Sequence, residues 1–173
     1  KSEMKAVAEV VESGWISQGQ KVKEFEHIFA NFHDKKYGSA CTSGTTALHL
    51  ALAVCDVSGG DEVIIPDFTM IALANSTLLS GGTPVFADVA LHSGNITVET
   101  ISNVTTEKTR GIIVVHIGGW PAEMPAIMEF AKSKNIKVIE DCAQAHFAEW
   151  RGKKVGTMGI AGTFSFFPGK NLG

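Results

Sequence analysis

The sequence predicts an α/β protein in which a mostly parallel sheet carries helices on both faces. Short apolar segments alternate with longer segments in which apolar residues recur at helical spacing. Glycine or proline separates many of these segments, as expected for the turns between strands and helices. Strands that are buried on both faces read as continuous apolar runs, and such runs alternating with helices are typical of parallel sheets.

The first two predicted elements are helices. Residues 2–13 form a short amphipathic pattern that ends at Gly14, and residues 20–33 form a second pattern with one apolar face. A connector, residues 15–19, separates the two helices. We expect the second helix to place an aromatic stripe in the core: Phe25, Phe29 and Phe32.

From Tyr37 onward the chain alternates between predicted strands and predicted helices. The strands are expected at residues 37–41, 62–65, 84–87, 111–115, 137–140 and 163–167. The helices are expected at residues 45–55, 69–79, 97–104 and 124–133. In parallel sheets, ligands bind beyond the carboxyl ends of the strands, so the residues that follow these strands are the candidates for a site.

Composition argues against several classes of function. The 173 residues carry a net charge of −3 and are 45% hydrophobic, which suits one domain, and we draw no boundary within residues 1–173. The sequence has no basic stripe for nucleic acid, no apolar run of membrane-spanning length, and no metal-ligand spacing. Three cysteines fit small buried residues of a reducing compartment, so we expect a cytoplasmic protein.

A lysine follows the last predicted strand. Pro168 and Gly169 end that strand, and Lys170 comes next. A lysine amine that burial keeps uncharged is a nucleophile and can form a Schiff base with an aldehyde. A lysine on an exposed turn is the more common alternative.

Ser43, Gly44 and Thr45 stand between a predicted strand and a predicted helix. Glycine lets the backbone approach a ligand, and the N–H groups of the first helical turn favour an anion. These residues are therefore a candidate phosphate site. The alternative is that Ser43 simply caps the helix, which is the commoner use of serine at this position.

Two polar side chains follow the predicted strand at residues 137–140. Asp141 could hold a ligand cation or a protonated ring nitrogen, or it could cap a helix. Gln144 could offer its amide to the same ligand. A phosphate site, a carboxylate for a ring nitrogen and a lysine that captures an aldehyde are together what pyridoxal phosphate (PLP) requires.

Six motifs occur in order along nearly the whole chain. They are SGTTAL at 43–48, GDEVIIP at 60–66, PVFADV at 84–89, VIEDCAQAH at 138–146, GxxGxxGTFSF at 156–166 and FPGKNLG at 167–173. Their order and spacing resemble the DegT/DnrJ/EryC1/StrS sugar aminotransferase family of fold-type I PLP enzymes.

The resemblance implies a role for each matching residue. Lys170 would hold PLP as a Schiff base and act as the catalytic residue. Asp141 would pair with the pyridine nitrogen, and Gln144 would lie near the ring hydroxyl. The remaining cofactor-binding positions would hold the phosphate, namely Ser43, Gly44, Thr45 and Ser165, or cover the ring, namely Ala143 and Met70.

Some residues depart from the family pattern. Met70 stands where many relatives place a stacking aromatic side chain. Gly118 and Trp120 replace a common tyrosine and histidine, and Phe147 replaces a common glycine. We expect these three changes to reshape the sugar pocket.

The resemblance implies an aminotransferase that moves an amino group from an amino acid, glutamate in our reading, to a nucleotide-linked keto sugar. It also implies a homodimer with a shared active site. Residues 1–173 would be the aspartate-aminotransferase-like large domain, truncated before its last strand and the small carboxyl-terminal domain. A PLP-dependent sugar dehydratase and a non-catalytic regulatory protein are the alternatives. The lysine is typically replaced in the dehydratases, and an intact Lys170 and Asp141 argue against a regulator.

Overall fold

The computed structural model describes residues 1–172, which fall into two compact units. The first unit is Lys1–Ala40, and the second begins at Cys41. The first unit contains helices α1 (Ser2–Glu12) and α2 (Gln20–Phe32), close to the predicted bounds. Among the described residues, no helix has the length and apolar character that a membrane span requires.

The prediction of an aromatic core stripe on α2 is wrong. Phe25 is 40% exposed and Phe32 is 44% exposed, while Ala30 is the buried residue of this helix. Helix α1 has no buried residue at all. Two helices this short enclose little volume, so within this unit the aromatic side chains are covered only in part.

The predicted strand at residues 37–41 is also wrong. The segment pairs with no strand in the part of the chain that the structure describes. The N–H of Ala40 donates instead to the Glu26 carboxylate of α2, at 2.7 Å. A run of five residues does not by itself distinguish a segment bonded to a helix from a strand in a sheet.

The second unit alternates helices and strands as far as the strand that ends at Asp141, as predicted. Its elements are α3 (Gly44–Val54), β1 (Glu62–Pro66), α4 (Ala72–Leu79), β2 (Thr83–Ala87), α5 (Val98–Val104), β3 (Thr109–Val115), α6 (Met124–Lys134), β4 (Lys137–Asp141), β5 (Glu149–Trp150), β6 (Lys153–Lys154) and β7 (Ala161–Thr163).

Five of these strands form one parallel sheet in the order β2-β1-β3-β4-β7. In the register of this sheet, Asp141 at the end of β4 lies between Val115 of β3 and Thr163 of β7. Strands β5 and β6 form a separate antiparallel pair. The predicted parallel α/β fold is confirmed.

Helices cover both faces of the sheet. Successive strand residues point to opposite sides, so neighbouring residues of one strand pack against different helices. Ile113 and Ile139 pack in one cluster with α3 and α4. Ile112 and Val138 pack in a second cluster with α5 and α6. Each face is therefore buried, which explains why the strands read as continuous apolar runs.

Two element boundaries differ from the prediction by three residues or more. Helix α4 begins at Ala72, because residues 67–71 first form bends and a turn. The last strand ends at Thr163 and does not continue to residue 167. Thr163 lies opposite Asp141, the last residue of β4, so the chain loses its pairing partner at that point.

Candidate active site

The carboxyl ends of the parallel strands meet at one edge of the sheet, and most of the predicted site residues of the second unit follow these ends. Asp141 ends β4, and the segment after β7 carries Ser165 and Lys170. Gly44 begins α3, which packs on the sheet face that includes Ile139. This edge is where ligands bind in open α/β sheets.

The amino end of α3 has a reciprocal cap. The Ser43 hydroxyl accepts the N–H of Thr46 at 3.2 Å, and the Thr46 hydroxyl accepts the N–H of Ser43 at 3.0 Å. Ser43 therefore caps the helix, which is the commoner use of serine at this position. Within residues 1–172, the N–H groups of Gly44 and Thr45 have no hydrogen-bond acceptor, so both remain available to an anion.

Gly44 and Ser165 lie side by side although they are far apart in the sequence. A Cβ atom added at Gly44 would come within 3.1 Å of the Ser165 Cβ and 3.4 Å of its Oγ. The absence of a side chain at residue 44 thus leaves room beside the Ser165 hydroxyl. The structure brings together N–H donors from α3 and a hydroxyl from the segment after β7.

Asp141 is a buried acid with 6% of its surface exposed. Its Oδ1 accepts the N–H of Ala143 at 2.9 Å. Burial raises the pKa of the Asp141 carboxyl above its ordinary value, although the Ala143 hydrogen bond and the positive charge of Lys170 act in the opposite direction. A buried carboxylate of this kind favours a cationic partner.

Lys170 does not directly follow the strand, contrary to the prediction. It lies in a turn after Thr163, where its backbone N–H donates to the Phe167 carbonyl at 2.8 Å. Its side chain is half-buried, and its charge acts on Asp141. A turn, and not the end of a strand, therefore places the Lys170 amine within electrostatic reach of the Asp141 carboxyl.

Gln144 and Met70 occupy different surroundings. The Gln144 amide oxygen accepts the N–H of Gly118 at 2.7 Å, which links the loop after β4 to the loop after β3. Met70 precedes α4 and is 70% exposed. No hydrogen bond among the described residues joins Met70 to the other candidate residues.

Glu140 has a hydrogen-bond network that sequence reasoning missed. Its Oε1 accepts the N–H groups of Met158 and Gly159, at 2.7 and 2.6 Å. Its Oε2 accepts the N–H of Gly156 at 2.8 Å and the Nε2–H of His116 at 3.1 Å. Burial alone would raise the pKa of the Glu140 carboxyl, but the bonds from His116, Gly159 and Gly156 outweigh it and hold the pKa below its usual value.

His116 is fully buried and serves this network. Its Nδ1 accepts the N–H of Ala122 at 3.0 Å. A ring nitrogen that accepts carries no proton, so the proton is on Nε2, where it is donated to Glu140. These two contacts give His116 a structural role beside the site.

The candidate ligand atoms of His116, Glu140 and Cys142 lie within 4.8 Å of one another. Burial raises the pKa of the Cys142 thiol well above its ordinary value, and the charges of Glu140 and Asp141 add to this. The ring nitrogens and the carboxylate already take part in hydrogen bonds. This group is better explained as a hydrogen-bonded support than as a set of metal ligands.

Asn95 is a second polar residue whose role the sequence did not predict. Its Nδ2 donates to the Trp120 carbonyl at 2.9 Å, and its Oδ1 accepts the N–H of Ile117 at 3.2 Å. With 3% of its surface exposed, Asn95 is inaccessible to glycosylation despite its Asn-x-Thr motif. These two hydrogen bonds hold the loop after β3 in place. Trp120 lies on that loop with 66% of its surface exposed.

Several curated relatives match nearly the entire chain. GDP-perosamine synthase of Escherichia coli O157:H7 is 43% identical over 171 residues, which cover 98% of this chain and 47% of that protein. The chain thus spans about half the length of this relative.

Solved structures share the fold. The structure of S. venezuelae DesV in complex with a ketimine intermediate is 36% identical, with a TM-score of 0.95, and the match covers 99% of this chain and 47% of that one. The PLP form of Spr1654 from Streptococcus pneumoniae is 29% identical, with a TM-score of 0.92 over 98% of this chain and 47% of that one.

A family model gives the assignment. The model of the DegT/DnrJ/EryC1/StrS aminotransferase family matches residues 1–173. This match confirms the resemblance that the six motifs indicated. By its sequence and by its fold, the chain belongs to the DegT/DnrJ/EryC1/StrS aminotransferase family.

Proposed function

We propose that the protein transfers an amino group from an amino acid to a nucleotide-linked keto sugar, with PLP as its cofactor. One observation carries this proposal: a buried acid, Asp141, lies at the same sheet edge as the Gly44–Ser165 pair and within electrostatic reach of Lys170. The relative named GDP-perosamine synthase supports a sugar substrate, and we propose glutamate as the donor. Residues 1–173 would be the PLP-binding part of its large domain.

The residues of the site fit PLP. The free N–H groups of Gly44 and Thr45 and the Ser165 hydroxyl suit a phosphate, and Gly44 leaves the space that a Cβ would fill. Asp141 is a buried carboxylate suited to a protonated ring nitrogen. When bound, PLP supplies the electron sink that stabilises the negative charge left after an amino acid loses its α-proton.

The chain's own residues would perform the remaining tasks. The Lys170 amine would anchor the cofactor covalently and, when displaced by the donor amine, would move the proton as base and then as acid. Asp141 would hold a positive charge at the ring nitrogen. Gln144 would keep the loop after β3 in place through Gly118, while Ala143 and Met70 would lie against the ring.

The assembly and location are part of the proposal. We propose a homodimer with a shared active site, with the amino acid donor and the nucleotide-linked sugar as its partners. A cytoplasmic location is supported by three free thiols: Cys41, Cys55 and Cys142.

The proposal is tested by loading the full-length protein with PLP and adding glutamate. We expect the visible absorbance of lysine-bound PLP, followed by its conversion to the amino form of the cofactor. If glutamate leaves the absorbance unchanged, transamination from this donor is wrong, and a dehydratase becomes the better assignment. If the protein takes up no PLP, a regulatory function becomes the better assignment.

Gly44→Ala is expected to lower the affinity of the full-length protein for PLP about tenfold. The new Cβ would press on Ser165 at 3.1 Å and narrow the space for the phosphate. Gly59→Ala is the matched control, since a Cβ at Gly59 meets nothing within 4 Å. The PLP dissociation constants are measured by fluorescence titration. Equal values for the two variants would contradict a role of Gly44 in binding the phosphate.

A further inference from the structure

Glu140 and Asp141 are consecutive residues of β4, so their side chains point to opposite faces of the sheet. Ile139 shares the Asp141 face, which α3 and α4 cover. Val138 shares the Glu140 face, which α5 and α6 cover. The Glu140 carboxylate therefore lies behind the candidate active site, on the far side of the strand that ends in Asp141.

The four hydrogen bonds of Glu140 use all of the roughly four acceptor positions that a carboxylate offers. Three of the four donors are backbone N–H groups of one short segment, residues 156–159. A single buried side chain thus provides much of the hydrogen bonding of a loop that belongs to no helix or strand.

That segment leads directly into the active-site residues. It runs into β7, which begins at Ala161, and β7 is followed by Ser165 and then by Lys170. Close glycine contacts fix it as well. A Cβ at Gly159 would collide with the carbonyl of Val138, and one at Gly162 would collide with the backbone of Gly156. The GxxGxxG motif is thereby explained by close backbone packing.

We propose that Glu140 is a positioning residue, whose carboxylate holds residues 156–159 and thereby sets Ser165 against Gly44 and Lys170 near Asp141. The inference rests on the proposed function, because it takes Ser165 and Lys170 as cofactor ligands. It adds a residue that touches neither the cofactor nor the substrate.

A neutral amide cannot replace the carboxylate. Glu140→Gln places an NH₂ group against two N–H donors in either orientation of the amide. His116 cannot adapt by accepting at Nε2, because its Nδ1 already accepts from Ala122 and a neutral ring needs a proton on one nitrogen. The variant should therefore release residues 156–159 from β4.

Hydrogen exchange and cofactor binding in the full-length protein test the proposal. In the wild type without PLP, the amides of Gly156, Met158 and Gly159 should exchange as slowly as those of β4. Glu140→Gln should speed exchange across residues 156–170 at least about tenfold and leave β1 unchanged. It should also weaken PLP binding by about tenfold to a hundredfold, and at saturating PLP it should lower the fraction that borohydride locks onto Lys170.

The control is Glu129→Gln, which alters an exposed acid on α6 and should change none of these quantities. Rapid wild-type exchange at residues 156–159 would overturn the proposal without any variant. The proposal would also be overturned if Glu140→Gln lowered the Tm but left the fraction of PLP that borohydride locks onto Lys170 unchanged at saturating PLP. Glu140 would then contribute to stability only. If the wild type binds no PLP, the proposed function fails, and the exchange comparison alone decides whether Glu140 positions this segment.

Discussion

Lys170→Ala is expected to slow amino transfer by the full-length protein at least about 10⁴-fold, because one amine both anchors the cofactor and moves the proton. Its effect on folding should be small, about 0.5 kcal/mol or less, since Lys170 lies half-buried in a turn. The measurement is the conversion of bound PLP by glutamate, followed by absorbance. Borohydride treatment and peptide mass analysis should find the cofactor on Lys170 in the wild type and not at this position in the variant.

Lys153→Ala is the matched control, because Lys153 is an exposed lysine of the β5–β6 pair. It should keep wild-type conversion by glutamate. If the Lys170→Ala protein is converted by glutamate as fast as this control, the assignment of Lys170 as the anchoring residue is wrong.

Asp141→Asn is expected to have two opposite effects. It should stabilise the cofactor-free protein by about 1 kcal/mol, or about 2–4 °C in Tm, because burial of the ionised acid is unfavourable and asparagine can still accept the Ala143 N–H. It should also weaken PLP binding, because an uncharged amide cannot balance a protonated ring nitrogen. Thermal melts with and without PLP measure both effects. The cofactor should raise the Tm of the wild type by more than it raises the Tm of Asp141→Asn.

The pH dependence follows from the raised pKa of Asp141. The folded protein holds this proton more tightly than the unfolded chain, so the free energy of unfolding falls as the pH rises from the unfolded pKa, about 3.9, through the higher folded pKa. Asp141→Asn should remove this part of the pH dependence. Asp88→Asn is the control, since Asp88 follows β2 and accepts the N–H of Val89 but is exposed. Equal melting curves for the two variants at every pH would contradict an unfavourable burial of the ionised Asp141 carboxyl.

The parallel α/β fold was predictable because its signal is local. Strands such as β1 and β3 are buried on both faces, so they read as apolar runs, and the intervening helices keep their own spacing. The two wrong strand predictions depended on distant partners. Ala40 bonds to Glu26 on a helix, and β7 ends at Thr163 because its neighbour ends at Asp141.

The candidate site could be predicted only as a set of residue types. Lys170 and Asp141 were predicted from strand ends and motif order, but the proximity of Gly44 and Ser165 comes from how the segment after β7 folds back. The network of Glu140 has no sequence pattern, because three of its four partners are backbone N–H groups, which every residue except proline supplies.

The network of Glu140 also has a consequence for the order in which the chain folds during synthesis. Strand β4 leaves the ribosome before residues 156–159, so the Glu140 carboxylate at first lacks three of its four donors. A buried charge without partners is unfavourable, so the carboxyl end of β4 should stay hydrated until those residues emerge. Strands β1, β2 and β3 carry no comparable buried acid and can associate earlier. The pairing of β4 with β7, which completes the active site, is therefore expected to form last.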